Sequence, residues 1–141
     1  MTVLISSNNF YSMHKIEEND IDFSFLEENT LKTIFLHTGY IDIHLTINSE
    51  ILKVHLNEQE GIIIMPDVKF SIIKSKSFAI AVQSLKNENP IVEIVDLEGE
   101  RSEVSIDNYK IIKNPKKVIK PWGHEIWISW FKNHHVLKKI Y

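Results

Sequence analysis

From Tyr40 to Ile47 the residues read Tyr-Ile-Asp-Ile-His-Leu-Thr-Ile. Strict alternation places Ile41, Ile43, Leu45 and Ile47 on one face of a half-buried strand. The pattern resumes after Asn48-Ser49-Glu50, with Leu52, Val54 and Leu56 apolar against Lys53, His55 and Asn57. A two-residue turn at Asn48-Ser49 sets Leu45 opposite Leu52, Ile43 opposite Val54 and Ile41 opposite Leu56. A slip by one residue would drive Asp42 and His44 into the core, so the pattern itself specifies the register.

Gly61-Ile-Ile-Ile-Met-Pro66 is an unbroken apolar run between two chain breakers, which predicts a strand buried on both faces. Further strands are predicted over 31–36, leading into Gly39, and over 69–74, 78–84 and 91–95, with polar turns at 86–90 and 98–100. So many short strands favour a closed barrel or a double-sheet jelly roll, because those architectures dispose of strand edges. Glu27-Glu28-Asn29-Thr30 reads as a turn or a single helical turn. At Asn114 the composition shifts to Pro115-Lys-Lys-Val-Ile-Lys-Pro121, an extended connector. Beyond it Glu125, Trp127 and Ser129 alternate with Ile126, Ile128 and Trp130 as another strand, and the chain ends strand-like.

Composition narrows the function classes. With 141 residues the chain has the length of one domain and one substantial core. Its 16 basic and 19 acidic residues leave a formal net charge of -3, so no positive field draws a phosphate backbone and nucleic acid is not an expected partner. The absence of cysteine excludes a disulfide framework, a thiolate zinc site and a cysteine nucleophile. The segment Met1–Asn9 lacks the basic head and long apolar stretch of a signal peptide, and no apolar run approaches the roughly 20 residues that span a bilayer. A cytoplasmic protein without membrane association is expected. No phosphate-cradling glycine loop, nucleophile elbow or dinucleotide fingerprint is present.

Two stretches carry a resemblance. Gly39 to Pro66, a glycine, a hairpin, a second glycine, an apolar strand and a proline turn, resembles the centre of a cupin domain. Lys120-Pro-Trp-Gly-His-Glu125 is similar to the lysine-proline-tryptophan-glycine strand that opens the cupins of type II mannose-6-phosphate isomerases and mannose-1-phosphate guanylyltransferases, and Lys138-Lys139-Ile140 resembles the lysine-bearing strand that comes after it. The resemblance implies an all-β, cupin-type jelly-roll barrel over residues 1–113. Residues 114–141 would then be a connector and the first strand of a second, truncated cupin.

The same resemblance implies where a metal would sit. Carried over, its acidic ligand position is Lys32, its first two histidine positions are Leu26 and Glu28 (or Phe25 and Glu27), and its last histidine position is Ser71. None is a histidine, and a lysine at the acidic position repels a divalent cation. No metal or other cofactor is therefore expected. Glu28, Lys32 and Ser71 could instead form a polar pocket for a phosphate or carboxylate; the plainer alternative is a solvated Lys32–Glu28 pair at the barrel mouth.

The other chemistry-bearing residues offer less. His44 and His55 fall on the polar face of the hairpin, His37 has a parity that alternation does not settle, and the consecutive His134 and His135 would face opposite ways on a strand. Trp122, Trp127 and Trp130 could make a sugar platform, but fit packing or an interface better. The expectation is a metal-free cupin-like module of sugar-phosphate or nucleotide-sugar metabolism, binding a small sugar or sugar phosphate or forming a homodimer. The enzymatic alternative is a sugar-phosphate isomerase, or a metal-independent sugar epimerase with a histidine base.

Overall fold

The computed structural model describes residues 2–7, 11–17, 26, 27, 29–84, 92–95, 101–104, 106–130 and 136–141. Short runs rich in isoleucine, valine and aromatics make strands throughout, and no helix occurs among the described residues. In chain order they are β1 (Thr2–Ser7), β2 (Tyr11–Ile16), β3 (Leu31–Ile47), β4 (Glu50–Leu56), β5 (Gly61–Ile64) and β6 (Lys69–Ser84). Then come β7 (Val92–Val95), β8 (Arg101–Val104), β9 (Tyr109–Ile112), β10 (Lys116–Lys120), β11 (Gly123–Trp130) and β12 (Val136–Ile140).

The architecture is all-β and antiparallel. The main sheet runs β1-β2-β6-β3-β5-β9, with β4 beside the second half of β3; β10-β11-β12 and β7-β8 form two smaller sheets. Among the described residues this hydrogen-bonding path does not close into a barrel. The expected strand at 91–95 falls within β7 as Val92–Val95, and the expected turns at 86–90 and 98–100 lie outside the described residues. The stretch read as a connector supplies β10, which pairs with β11 from Lys116↔Trp127 to Lys120↔Gly123.

The hairpin register is the one alternation dictates: Ile41↔Leu56, Ile43↔Val54 and Leu45↔Leu52. Asn48 and Ser49 both take positive φ, 51° and 65°, the combination of a type I′ turn, whose twist matches that of the flanking strands. Ile41, Ile43 and Leu45 are fully buried, and each contributes roughly 2 kcal/mol of apolar transfer. The tip protrudes, so Leu52 is half exposed rather than inward. Gly61–Ile64 is buried at every position, as a run between breakers predicts.

Two pairs of expected strands prove continuous. β3 fuses 31–36 with 40–47 and β6 fuses 69–74 with 78–84, and the two pair from Leu31↔Ser84 to Thr46↔Lys69. A straight β3 would hold Lys32 and Thr46 roughly 45 Å apart. Yet β5 ends at Ile64 beside Lys32, and after only residues 65–68 the chain resumes at Lys69 beside Thr46. β3 and β6 must therefore fold back together, and the Phe70 ring lies 5.7 Å from Lys32 Nζ as a result.

Gly39 sits at that fold, with φ 84° and its Cα so close to β6 that an added Cβ would lie 1.7 Å from the Lys76 carbonyl oxygen. Two bulges flank it, one residue too many at His37 in β3 and at Ile73 in β6. Bulges bend a strand and switch which face the residues beyond them occupy. They keep one continuous interior row: Ile34 and Ala81, Leu36 and Ala79, Ile41 and Ser75, Ile43 and Ile72.

Gly39→Ala is expected to lose at least about 3 kcal/mol in urea unfolding, or to fail to fold, because a positive φ and a backbone clash coincide. A wild-type midpoint would show that the fold-back is not pinned at this residue. Ser49→Gly, which relieves a positive φ at an exposed turn, is expected to raise stability by about 0.5–1 kcal/mol in the same measurement.

Candidate functional site

The sheet register sets Lys15, Ile80 and Phe35 in one transverse row across β2, β6 and β3. This row lies on the face opposite Ile34 and Leu36, turned away from the fold interior. The three-stranded sheet packs over it, through Ile128 and Leu137, which join the hydrophobic core. First-half residues of β3 are thus buried on both sides, one by the rolled sheet and one by β11 and β12.

Between these layers lies a cleft of about 350 Å³. Its floor is carbon: Phe35, Ala79, Ile128 and Leu137, all buried, with half-exposed Phe78 beside them. Its rim is cationic, with Lys15, Lys138 and Lys139 together with His37. No carboxylate borders it among the described residues. His37 owes its place to being the bulged residue, which re-aims a side chain that plain alternation would turn elsewhere.

The three lysines are not equivalent. Lys15 Nζ is 3.7 Å from Glu17, with both side chains largely exposed. Lys138 Nζ is 3.6 Å from Glu125 and lies 4.6 Å from the centre of the Trp127 ring. The Trp127 indole N–H also donates to Glu125 at 2.8 Å, which holds that carboxyl below its usual range, and Lys138 acts in the same sense. Lys139 has no carboxylate partner among the described residues: its ammonium donates to His37 Nδ1 and lies over the Tyr141 ring at 4.9 Å.

The chain matches no family model and no curated protein.

The candidates carried over from the resemblance separate. Lys32 points into the interior, is fully buried, and donates from Nζ to the Thr30 carbonyl at 2.7 Å. A buried side-chain donor at this point does not fit a divalent cation, which needs lone pairs facing it. Beside it, buried Gln83 donates to Ser12 Oγ at 2.9 Å and accepts from the Glu27 amide at 3.0 Å, so the polar groups here already bind one another. Leu26 is buried. Ser71 is exposed on the opposite face of β6, because the bulge at Ile73 turns even-numbered Phe70 and Ile72 inward. Glu28, His134 and His135 lie outside the described residues, and among the described residues no three histidine or acidic groups converge to hold a metal ion.

On the outer face of the hairpin, Asp42 stands opposite His55 and its Oδ1 lies 2.5 Å from Nδ1. His55 Nε2 lies 3.1 Å from Asn57 Oδ1, so both ring nitrogens face oxygen acceptors and the doubly protonated ring satisfies both. The hydrogen bond to Asp42 raises the His55 pKa above its ordinary value, with smaller contributions from Asn57 and from the charge of Glu60. Alternation alone puts His55 on this polar face without revealing its partner. Cross-strand pairing with Asp42 is the signal that does.

A raised histidine pKa stabilises the fold fully below the unfolded value of about 6.5, and that contribution is lost as pH rises through the folded value. The His55 ring protons should titrate in NMR with a midpoint above about 6.5, and Asp42→Asn should lower it. The stability gap between wild type and Asp42→Asn should be largest between about pH 5 and 6.5 and fade above the raised pKa. An unshifted midpoint in both proteins would remove the pair.

Proposed function

We propose that the chain is a metal-free, cupin-like binding module rather than a catalyst, and that the cleft between the main sheet and the three-stranded sheet is its binding site. The single observation that carries this is the pairing of a preformed carbon-lined floor with a rim of hydrogen-bonding cations, the usual composition of a small-molecule site. The cupin-type topology belongs to the same proposal. It is supported by the back-folding of β3 and β6 into a rolled sheet, and by the inward direction of Lys32 where a metal-binding relative would carry its acidic ligand.

The rolled interior itself is a poor binding site, since Lys32 and Gln83 are sealed and engaged with their neighbours. The cleft is open, and its floor sets the ligand class. Sugar hydroxyls pressed on Phe35, Ile128 and Leu137 would lose water and find no partner, at a cost of roughly 1–3 kcal/mol each. Of the sugar phosphate implied by the resemblance, only the anionic group meets matching chemistry here. A ligand with an apolar body fits better.

The test is a neutral naphthylamine dye whose emission rises in apolar surroundings. Wild type should bind it at one site, and Ile80→Trp, which places an indole in the cleft from its half-buried wall, should weaken binding at least about tenfold, or 1.4 kcal/mol. Ile51→Thr, on the exposed hairpin tip, serves as the control and should leave it unchanged. Equal binding by wild type and Ile80→Trp, or displacement of the dye by mannose 6-phosphate with no effect of Ile80→Trp, would overturn the cleft as the site.

A further inference from the structure

We infer that the cleft selects a small amphiphile with an anionic head, and that Lys139, held against His37, receives that head. The inference rests on the cleft being the binding site and adds the chemistry that site recognises.

The rim has a graded supply of charge. Glu17 and Glu125 already neutralise Lys15 and Lys138 in part, whereas Lys139 meets only the His37 imidazole and the Tyr141 ring among the described residues. An ammonium carries three N–H donors, and His37 takes one of them. The accepting Nδ1 fixes the tautomer as well: the proton of neutral His37 resides on Nε2, so the ring presents a donor of its own. Lys139 and His37 come from different sheets, β12 and the bulge of β3, and meet at the mouth of the cleft.

An anion placed there would gain charge-assisted hydrogen bonds from an ammonium that no carboxylate of the described residues screens, with the Tyr141 ring shielding one side. An apolar tail attached to it would run onto Phe35, Ile128 and Leu137, which together offer no polar side chain. A neutral alcohol of equal length would gain the tail contacts but little of the head interaction. The two halves of the ligand are therefore read by separate groups and can be tested separately.

Displacement of the naphthylamine dye at pH 7 by octanoate and by 1-octanol makes the comparison. Octanoate should displace at least tenfold more tightly than 1-octanol in wild type. Lys139→Gln should abolish that preference while leaving 1-octanol unchanged, which also certifies that the variant is folded, and Lys139→Arg should retain it. Octyl phosphate tests the source of the anion: tighter displacement than octanoate that is lost in Lys139→Gln assigns the head to a phosphate, and the reverse order assigns it to a carboxylate. Equal displacement by octanoate and 1-octanol would overturn this inference with the cleft intact. Failure of every amphiphile to displace a bound dye would overturn the cleft reading itself, and a preference that survives Lys139→Gln would remove Lys139 as the receptor.

Discussion

β3 and β6 touch where no side chain fits, at the approach of Gly39 to the Lys76 carbonyl. Neither strand is interrupted there. Both instead carry one surplus residue nearby, His37 and Ile73, and the sheet turns back on itself with its hydrogen bonds intact on either side. The interior between the two halves of β3 and β6 depends on that bend. It brings Phe70 over Lys32 and seals the interior, and the bulge that helps to make it delivers His37 to the outer cleft. Among the described residues no helix lies against this fold-back, and the three-stranded sheet packs on its outer face through Ile128 and Leu137.

Local pattern carried part of this and failed at identifiable places. The β3–β4 register followed from alternation because Ile41, Ile43 and Leu45 all need the same face, and a slip would bury Asp42 and His44. Gly61–Ile64 was legible for a similar reason, an unbroken apolar run having no face to offer water. The continuity of β3 was not legible, since a glycine between two apolar runs reads as a break and only a distant carbonyl explains why glycine is needed there. Parity was lost at the bulges. The odd-numbered interior row of β6, from Ser75 to Ala81, would extend to Ser71, but the unpaired residue at Ile73 sets Phe70 and Ile72 inward and Ser71 to solvent, and spacing arguments have no means of seeing one unpaired residue. A trace of the slip does exist in the sequence: inward positions are even at Ile34 and Leu36 and odd at Ile41, Ile43 and Leu45.

The cleft was invisible for a different reason. Its two halves are about a hundred residues apart in the chain, as the pairing of His37 with Lys139 records. No periodicity links Phe35 to Ile128 or Leu137. What the sequence did contain was a row of residues with no evident purpose: a phenylalanine buried on the side of β3 that alternation assigns to solvent, and a tail whose apolar positions Ile126 and Ile128 required a surface to cover. Apolar residues in surplus on two elements are each other's natural partners, and gaps between two such surfaces are where ligand sites form.

On the proposed reading, this placement couples binding to the joining of the sheets. A ligand held in the interior of one sheet would stabilise that sheet alone, whereas one seated between Phe35 and Leu137, with its head at Lys139 and His37, touches β3, β6, β11 and β12 together. Because a ligand that binds only the assembled form stabilises it by RT ln(1 + [L]/Kd), or about 2.7 kcal/mol at a hundredfold excess over Kd, occupancy would be felt mainly in the docking of β10–β12 on the main sheet. Among the described residues that docking rests on the buried Ile128 and Leu137, against a main sheet held together by an extended ladder of β3–β6 hydrogen bonds. Local opening begins where buried contacts are sparse. On the proposed reading, the seam that admits a ligand is thus the part of the molecule whose order that ligand would control.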